Sequence, residues 1–346
     1  MELGVALMAG GLLLAPATSE PWHLYLSIGV LVGGGSVCLG YSGQSLYLPN
    51  WFVRRRGLAL GIAFSGVGIG SMILLPWMQI AIEHYGWRAS CWTLGLVILC
   101  VLAPVNLLLR KRPEDMGLRP DGDPAPVAGV AAPVSNIVDP VWAATEWTLA
   151  RAVRTSRFWW LALTYFSGLY VWYAVQVHQT KYLIEIGFSA EAAAWALGVV
   201  SFAGIPGGIV LGHLSDRIGR EWVWIISSLG FALCFAALLA LETMPSLWLV
   251  YGMVLVQGVL GYGLTSVMGP IAAEIFQGRS FGAIFGTIML AALAGGAGGP
   301  WLTGALHDAL GDYRLAFWLG VGVSAVSGWA VWQAAPRKAR AVAGRT

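Results

Sequence analysis

Of 346 residues, 58% are hydrophobic and only 11% charged, whereas soluble globular domains carry about a quarter charged residues. That balance excludes an ordinary water-soluble core and predicts an all-α integral membrane protein. The net charge of +3 is distributed as a membrane-orientation signal and predicts no nucleic-acid partner, and Cys38, Cys91, Cys100 and Cys234 lie in apolar stretches without the spacing of a disulfide frame or zinc site.

In chain order, apolar runs occupy 3–19, 24–48, 57–82, 88–109, 157–182, 190–212, 222–241, 247–272, 281–306 and 314–335. Each approaches the roughly 20 residues that cross a bilayer, so about ten transmembrane helices are expected. The first run is interrupted by Pro16 and has no basic flank, so it reads as a chain entered midway rather than as a signal peptide. Alternating the loops places 17 of the 20 Lys and Arg on one side, which leaves Arg88, Lys181 and Arg314 on the other. The positive-inside rule makes the basic side cytoplasmic, with both termini there.

Residues 1–109 form a four-span N-terminal half and 157–346 a six-span C-terminal half with a short basic tail. The segment 110–156 between them is a cytoplasmic linker rich in Pro, Ala and Asp. At its end, 142–157 has a pattern suited either to a helix lying on the inner membrane surface or to a plain solvated linker.

The halves repeat. Phe52, Gly57, Gly61, Gly70, Pro76, Trp77 and Arg88 recur as Phe276, Gly282, Gly286, Gly295, Pro300, Trp301 and Arg314, an offset of 224 to 226. The matched elements face the same membrane side, as in a parallel repeat of carrier halves. Counted from the repeat, the first half lacks two spans, and a mis-called start or a fragment is the simpler expectation than a native ten-span protein.

Gly212-His213-Leu214-Ser215-Asp216-Arg217-Ile218-Gly219-Arg220 resembles the G-x-L-x-D-R-x-G-R loop signature of the major facilitator superfamily. The glycines permit a tight turn, and Asp216 with Arg217 and Arg220 can form a charge cluster that holds helix ends together in one state of a carrier. The run from Trp51 through Arg54, Arg55, Gly57 and Gly61 to Gly66 is similar to a signature of the monocarboxylate transporter and oxalate:formate antiporter branch, as is Gly278 to Asp308. The resemblance implies the major facilitator fold, with the chain equivalent to helices 3–12 of twelve. It further implies a secondary active symporter or antiporter of a small organic solute, foremost a monocarboxylate, working by alternating access. In that branch a basic residue inside the eighth or eleventh helix pairs with the carboxylate, yet 190–212 and 281–306 contain no Lys or Arg.

The resemblance maps the cavity-lining helices onto the second, fifth and eighth spans, where Tyr41, Gln44, Tyr47, Tyr165, Trp172, Tyr173, Gln176, Gln179, Gln257 and Tyr262 are the candidate solute contacts. In the fifth span these residues share a sector about 120° wide, which suits a wet cavity, although for any single Gln or Tyr an interhelical hydrogen bond is the commoner role. His178 points away from Gln176, toward neighbouring helices, and is the membrane-embedded group nearest to a proton-coupling role. Gly204 to Gly208 and Gly295 to Pro300 should bend their helices or let them cross closely.

No metalloprotease, serine-hydrolase or phosphate-loop motif stands in the chain, so an enzyme, a metal and a cofactor are not expected. The expected partners are a small-molecule solute, protons and the lipid bilayer, with the protein a monomer in a bacterial inner (plasma) membrane. The alternatives are a carrier of a neutral or aromatic metabolite, favoured by the missing basic residue and the Tyr/Trp-rich fifth span, or a non-transporting remnant.

Overall fold

The computed structural model describes residues 1–110, 112–122 and 136–342. Lys111 and 123–135 of the linker and 343–346 of the tail lie outside the described residues, as do the side chains of Ser71, Met72, Leu75, Pro76 and Gln79.

Ten helices stand at the ten apolar stretches: α1 (Glu2–Leu14), α2 (Pro21–Trp51), α3 (56–85), α4 (87–108), α5 (Ser156–Glu185), α6 (Ala190–Ile218), α7 (Arg220–Thr243), α8 (Leu247–Ile275), α9 (Phe281–Leu310) and α10 (Arg314–Ala334). Among the described residues seven spans are long and apolar enough to cross a membrane, while the stretches at α1 and at the start of α3 are shorter. The polar side chains of α5 keep that 30-residue helix out of the seven. Among the described residues the only β pairing is a single bridge, Ile137 to Arg340. The protein is a multi-pass, all-α membrane protein.

The chain divides into two compact units, Met1–Val53 with Ile69–Ala125, and Arg54–Gly68 with Pro126–Thr346. In the first unit, α1 lies against α2 where added Cβ atoms at Gly4 and Gly35 would strike the facing helix. Gly86, at φ +78°, makes the turn between α3 and α4. Past that turn Arg88 Nε donates to the Pro16 carbonyl at 3.2 Å and Trp92 Nε1 to the Leu13 carbonyl at 3.1 Å, which satisfies carbonyls left open at the end of α1.

In the second unit, α5 and α9 cross backbone to backbone, because Gly295 and Gly299 stand where any Cβ would overlap the Phe166 and Tyr170 carbonyls. Pro206 and Pro300 lie inside the continuous helices α6 and α9, so the glycine-rich stretches serve close crossing without a helix break. α7 and α10 are joined by Trp224 Nε1, which donates to Ser327 Oγ at 2.9 Å.

Over 140–152 the chain forms two short helices, Pro140–Ala144 and Leu149–Ala152, capped by Asp139 and Thr148. Trp142 and Trp147 turn onto Phe276, with ring centroids 6.0 and 5.3 Å away, and Trp142 Nε1 donates to the Ile275 carbonyl at 2.7 Å. Arg340 Nη1 of the tail donates to the Glu274 carbonyl at 3.0 Å. The open carbonyls at the end of α8 therefore recruit both the segment that precedes α5 and the tail. Burial lowers the Arg340 guanidinium from its ordinary value, while Glu274 opposes that shift.

Candidate functional site

Two clusters in the second unit gather the chemistry. The first forms where α6 ends. Gly219, at φ +115°, reverses the chain into α7, a conformation that other L residues rarely adopt. One turn earlier, Asp216 accepts hydrogen bonds from the backbone N–H of Gly57 at 3.1 Å and of Leu58 at 3.0 Å. Those are first-turn amides of α3, which have no partner within their own helix and carry the positive end of its dipole. The approach requires glycine: a Cβ on Gly57 would overlap the Gly212 carbonyl oxygen, and one on Gly61 would lie 2.5 Å from the Gly208 carbonyl oxygen.

Arg220 is 2% exposed and pairs with Asp216 through Nη1. Its Nε donates to Glu274 Oε1 at 2.9 Å and its Nη1 to Ser215 Oγ at 2.6 Å. Arg217, by contrast, is exposed, so the charge cluster uses one arginine of the loop and not two. The turn at Gly219 explains this: it carries Arg220, the first residue of α7, back to Asp216, whereas Arg217, still on α6 and adjacent to Asp216, leaves on a different side. Arg54 and Arg55 are also exposed, and the buried basic residue of that run is Arg56, which acts electrostatically on Glu274. Sequence reasoning missed Arg56, Ser215 and Glu274. The available signal for Glu274 was an acidic side chain just past an apolar run, with no basic residue three or four positions away on its own helix.

The second cluster joins α5 to α8. A π-helical turn, Gln257–Gly261, interrupts α8, and such turns re-aim side chains. Gln257 Nε2 donates to Gln176 Oε1 at 3.1 Å, and Tyr262 packs on Trp172 with ring centroids 4.7 Å apart. Gly204 of α6 makes room for the Tyr262 ring, which lies 2.7 Å from where a Cβ would stand. Gln257 Oε1 has no hydrogen-bond partner among the described residues. Tyr173 lies beside this group and is 43% exposed.

The remaining candidates stand elsewhere. Tyr165 is fully buried, stacked on Trp224, and donates to the Met268 carbonyl. Gln179 is also fully buried, with neither amide atom hydrogen-bonded among the described residues. In the first unit, α2 breaks at Gly40, and Gln44 Nε2 reaches back to the Leu39 carbonyl at 3.4 Å. Tyr47 has Trp51 as its side-chain partner, and Tyr41 begins the second segment of α2.

The family model described as Major Facilitator Superfamily matches residues 1–212 and 179–345. The chain belongs to the Major Facilitator Superfamily. Monocarboxylate transporter 12 of Rattus norvegicus is 29% identical over 92% of this chain and 67% of its own length. Monocarboxylate transporter 11 of Homo sapiens is 28% identical over 97% and 68%. Human monocarboxylate transporter 12 is matched over 63% of its length, so the chain spans roughly two thirds of these relatives. The resemblance to the monocarboxylate branch is borne out. Among solved structures, the Escherichia coli fucose:proton symporter superposes with a TM-score of 0.69 at 15% identity, over 96% of this chain and 83% of that one. A bacterial homologue of the iron transporter ferroportin gives 0.62 at 14% identity, over 96% and 82%. These structural likenesses confirm the major facilitator fold of this membrane protein, and the named relatives are transporters.

Proposed function

We propose that the chain is a secondary active carrier of a small organic solute, a monocarboxylate or similar anion, working by alternating access. The observation that carries this reading is the Asp216 lock. A carboxylate held by two first-turn amides and one buried arginine forms no covalent bond. It can be made and broken reversibly as helix ends part, which rocking requires. The monocarboxylate transporters among the relatives support the solute class. Proton coupling, a bacterial inner-membrane location, cytoplasmic termini and a monomeric state belong to the same proposal.

A second reading, a neutral or aromatic solute, draws on the Gln176–Gln257 pair with Trp172 and Tyr262, which offers amides and ring faces but no cation. Uptake into proteoliposomes of labelled lactate beside a neutral aromatic solute of similar size separates the two. Lactate uptake saturating above protein-free vesicles supports the first reading, uptake of the neutral probe alone supports the second, and uptake of neither contradicts both.

The glutamine pair makes its own prediction. Gln257→Leu is expected to raise the half-saturation concentration of the transported probe about tenfold, the scale of one hydrogen bond. An unchanged half-saturation would assign the pair to helix packing.

A further inference from the structure

The ends of α5, α9 and α10 enclose a group of titratable side chains that neither cluster uses. His178 of α5 sits beside Gly304 of α9, where an added Cβ would already touch the imidazole at 3.4 Å. Its Nε2 is 2.9 Å from the Pro300 carbonyl oxygen. A carbonyl only accepts, so Nε2 carries the hydrogen and the lone pair of a neutral ring is on Nδ1. That Nδ1 faces the Tyr313 hydroxyl at 3.3 Å. Burial holds the Tyr313 phenol above its ordinary value, so it keeps its hydrogen at neutral pH.

Beyond Tyr313 the chain of polar groups reaches the surface. Lys181 is the side-chain hydrogen-bond partner of Tyr313 and lies 3.5 Å from Glu185. On α9, the His307 ring lies against the Tyr313 ring with centroids 4.2 Å apart, and it contacts Glu185 and Asp308 at 3.3 Å each. From α7 and α10, Glu242 and Arg314 neutralise one another at 2.8 Å. Tyr182 donates to the Leu238 carbonyl and is occupied there. His178 is thus the innermost member of a connected series, with one open acceptor nitrogen directed toward the surface.

We propose that His178 is the proton site of this carrier, loaded through the Tyr313 hydroxyl from Lys181 and Glu185 at the membrane side poor in basic residues. The assignment rests on the carrier reading above. The Tyr313 hydroxyl hydrogen moves to His178 Nδ1, the Lys181 ammonium returns a proton to the tyrosine oxygen, and Lys181 is reloaded by way of Glu185 from water. The balance is one proton transferred from solvent to Nδ1. Charged, the imidazole donates to both the Pro300 carbonyl and the Tyr313 oxygen, which strengthens the ties from α5 to α9 and α10. Gln176 lies two residues away on the same helix, so the proton site and the glutamine-aromatic cluster share one moving element.

Ring-nitrogen NMR of the full chain in nanodiscs, labelled with 15N-histidine, reads the proton directly. The resonance lost in His178→Gln assigns the ring, whose Nδ1 is expected to gain a proton when the sample is acidified. Tyr313→Phe should change its proton affinity several-fold. In proteoliposomes with labelled lactate, an inward proton gradient should drive accumulation that falls at least tenfold in His178→Gln, more than counterflow falls. His213→Gln, an exposed control, should accumulate as the parent does. A His178 ring that does not titrate, or a His178→Gln chain with full gradient-driven accumulation, overturns the proposal. A parent chain without counterflow contradicts the carrier reading instead, and the titration then decides His178 alone.

Discussion

Replacing Arg220 by leucine is expected to cost about 3–5 kcal/mol, the range for removing one partner of a buried ion pair. The loss is large because Arg220 serves two carboxylates at once, Asp216 and Glu274, and Glu221 is buried nearby at 2% exposure. Without the guanidinium, both carboxylates must either stay charged in a poorly solvated site or take up protons. Thermal unfolding in detergent should show a midpoint lower by about ten degrees, at 2–4 °C per kcal/mol for chains of this order of size. Adding Glu274→Leu to the same chain should recover part of that loss, because it removes one of the orphaned charges. An unchanged midpoint for Arg220→Leu would show that the cluster contributes nothing to the fold.

Gly61→Leu should abolish transport while leaving Gly66→Leu active. At Gly61 the first added carbon meets the Gly208 carbonyl oxygen at 2.5 Å and the Ile209 backbone at 3.0 Å, and backbone cannot swing aside as a side chain would. At Gly66, five residues along α3, the same carbon meets nothing within 4 Å. Overpacking costs about 1–3 kcal/mol. Driving α3 away from α6 also sacrifices the two amide bonds to Asp216, at about 1.5–3 kcal/mol each for bonds to a charged group. The lock then cannot close, and uptake is expected to fall more than tenfold at equal protein in the membrane. Equal loss in the two variants would point to a general intolerance of bulk in α3.

The fold was legible because lipid leaves few solutions for a long apolar run, and the ten stretches, the repeat and the loop signature all name the same architecture. The charge lock was half legible. Asp216, Arg220, Gly57 and Gly61 stand in motifs, but the partners Glu274 and Arg56 come from other helices, and no local spacing reports a contact 54 residues apart. Arg217 reads from the sequence as an equal of Arg220, and only the turn at Gly219 separates them. On α5, angular spacing alone grouped Tyr165 and Gln179 with Trp172 and Gln176. The neighbours α7 and α8 close over Tyr165, a consequence of tertiary packing that no helical wheel contains.

Counterflow tests the carrier account most directly. Proteoliposomes loaded with unlabelled lactate and diluted into a trace of labelled lactate, with no ion gradient, should show a transient overshoot of label above its equilibrium level. A site that faces one side at a time exchanges solute in this way. Entry of label that only rises to equilibrium, at a rate indifferent to the unlabelled pool inside, would contradict alternating access, and no entry above protein-free vesicles would contradict lactate transport by this chain.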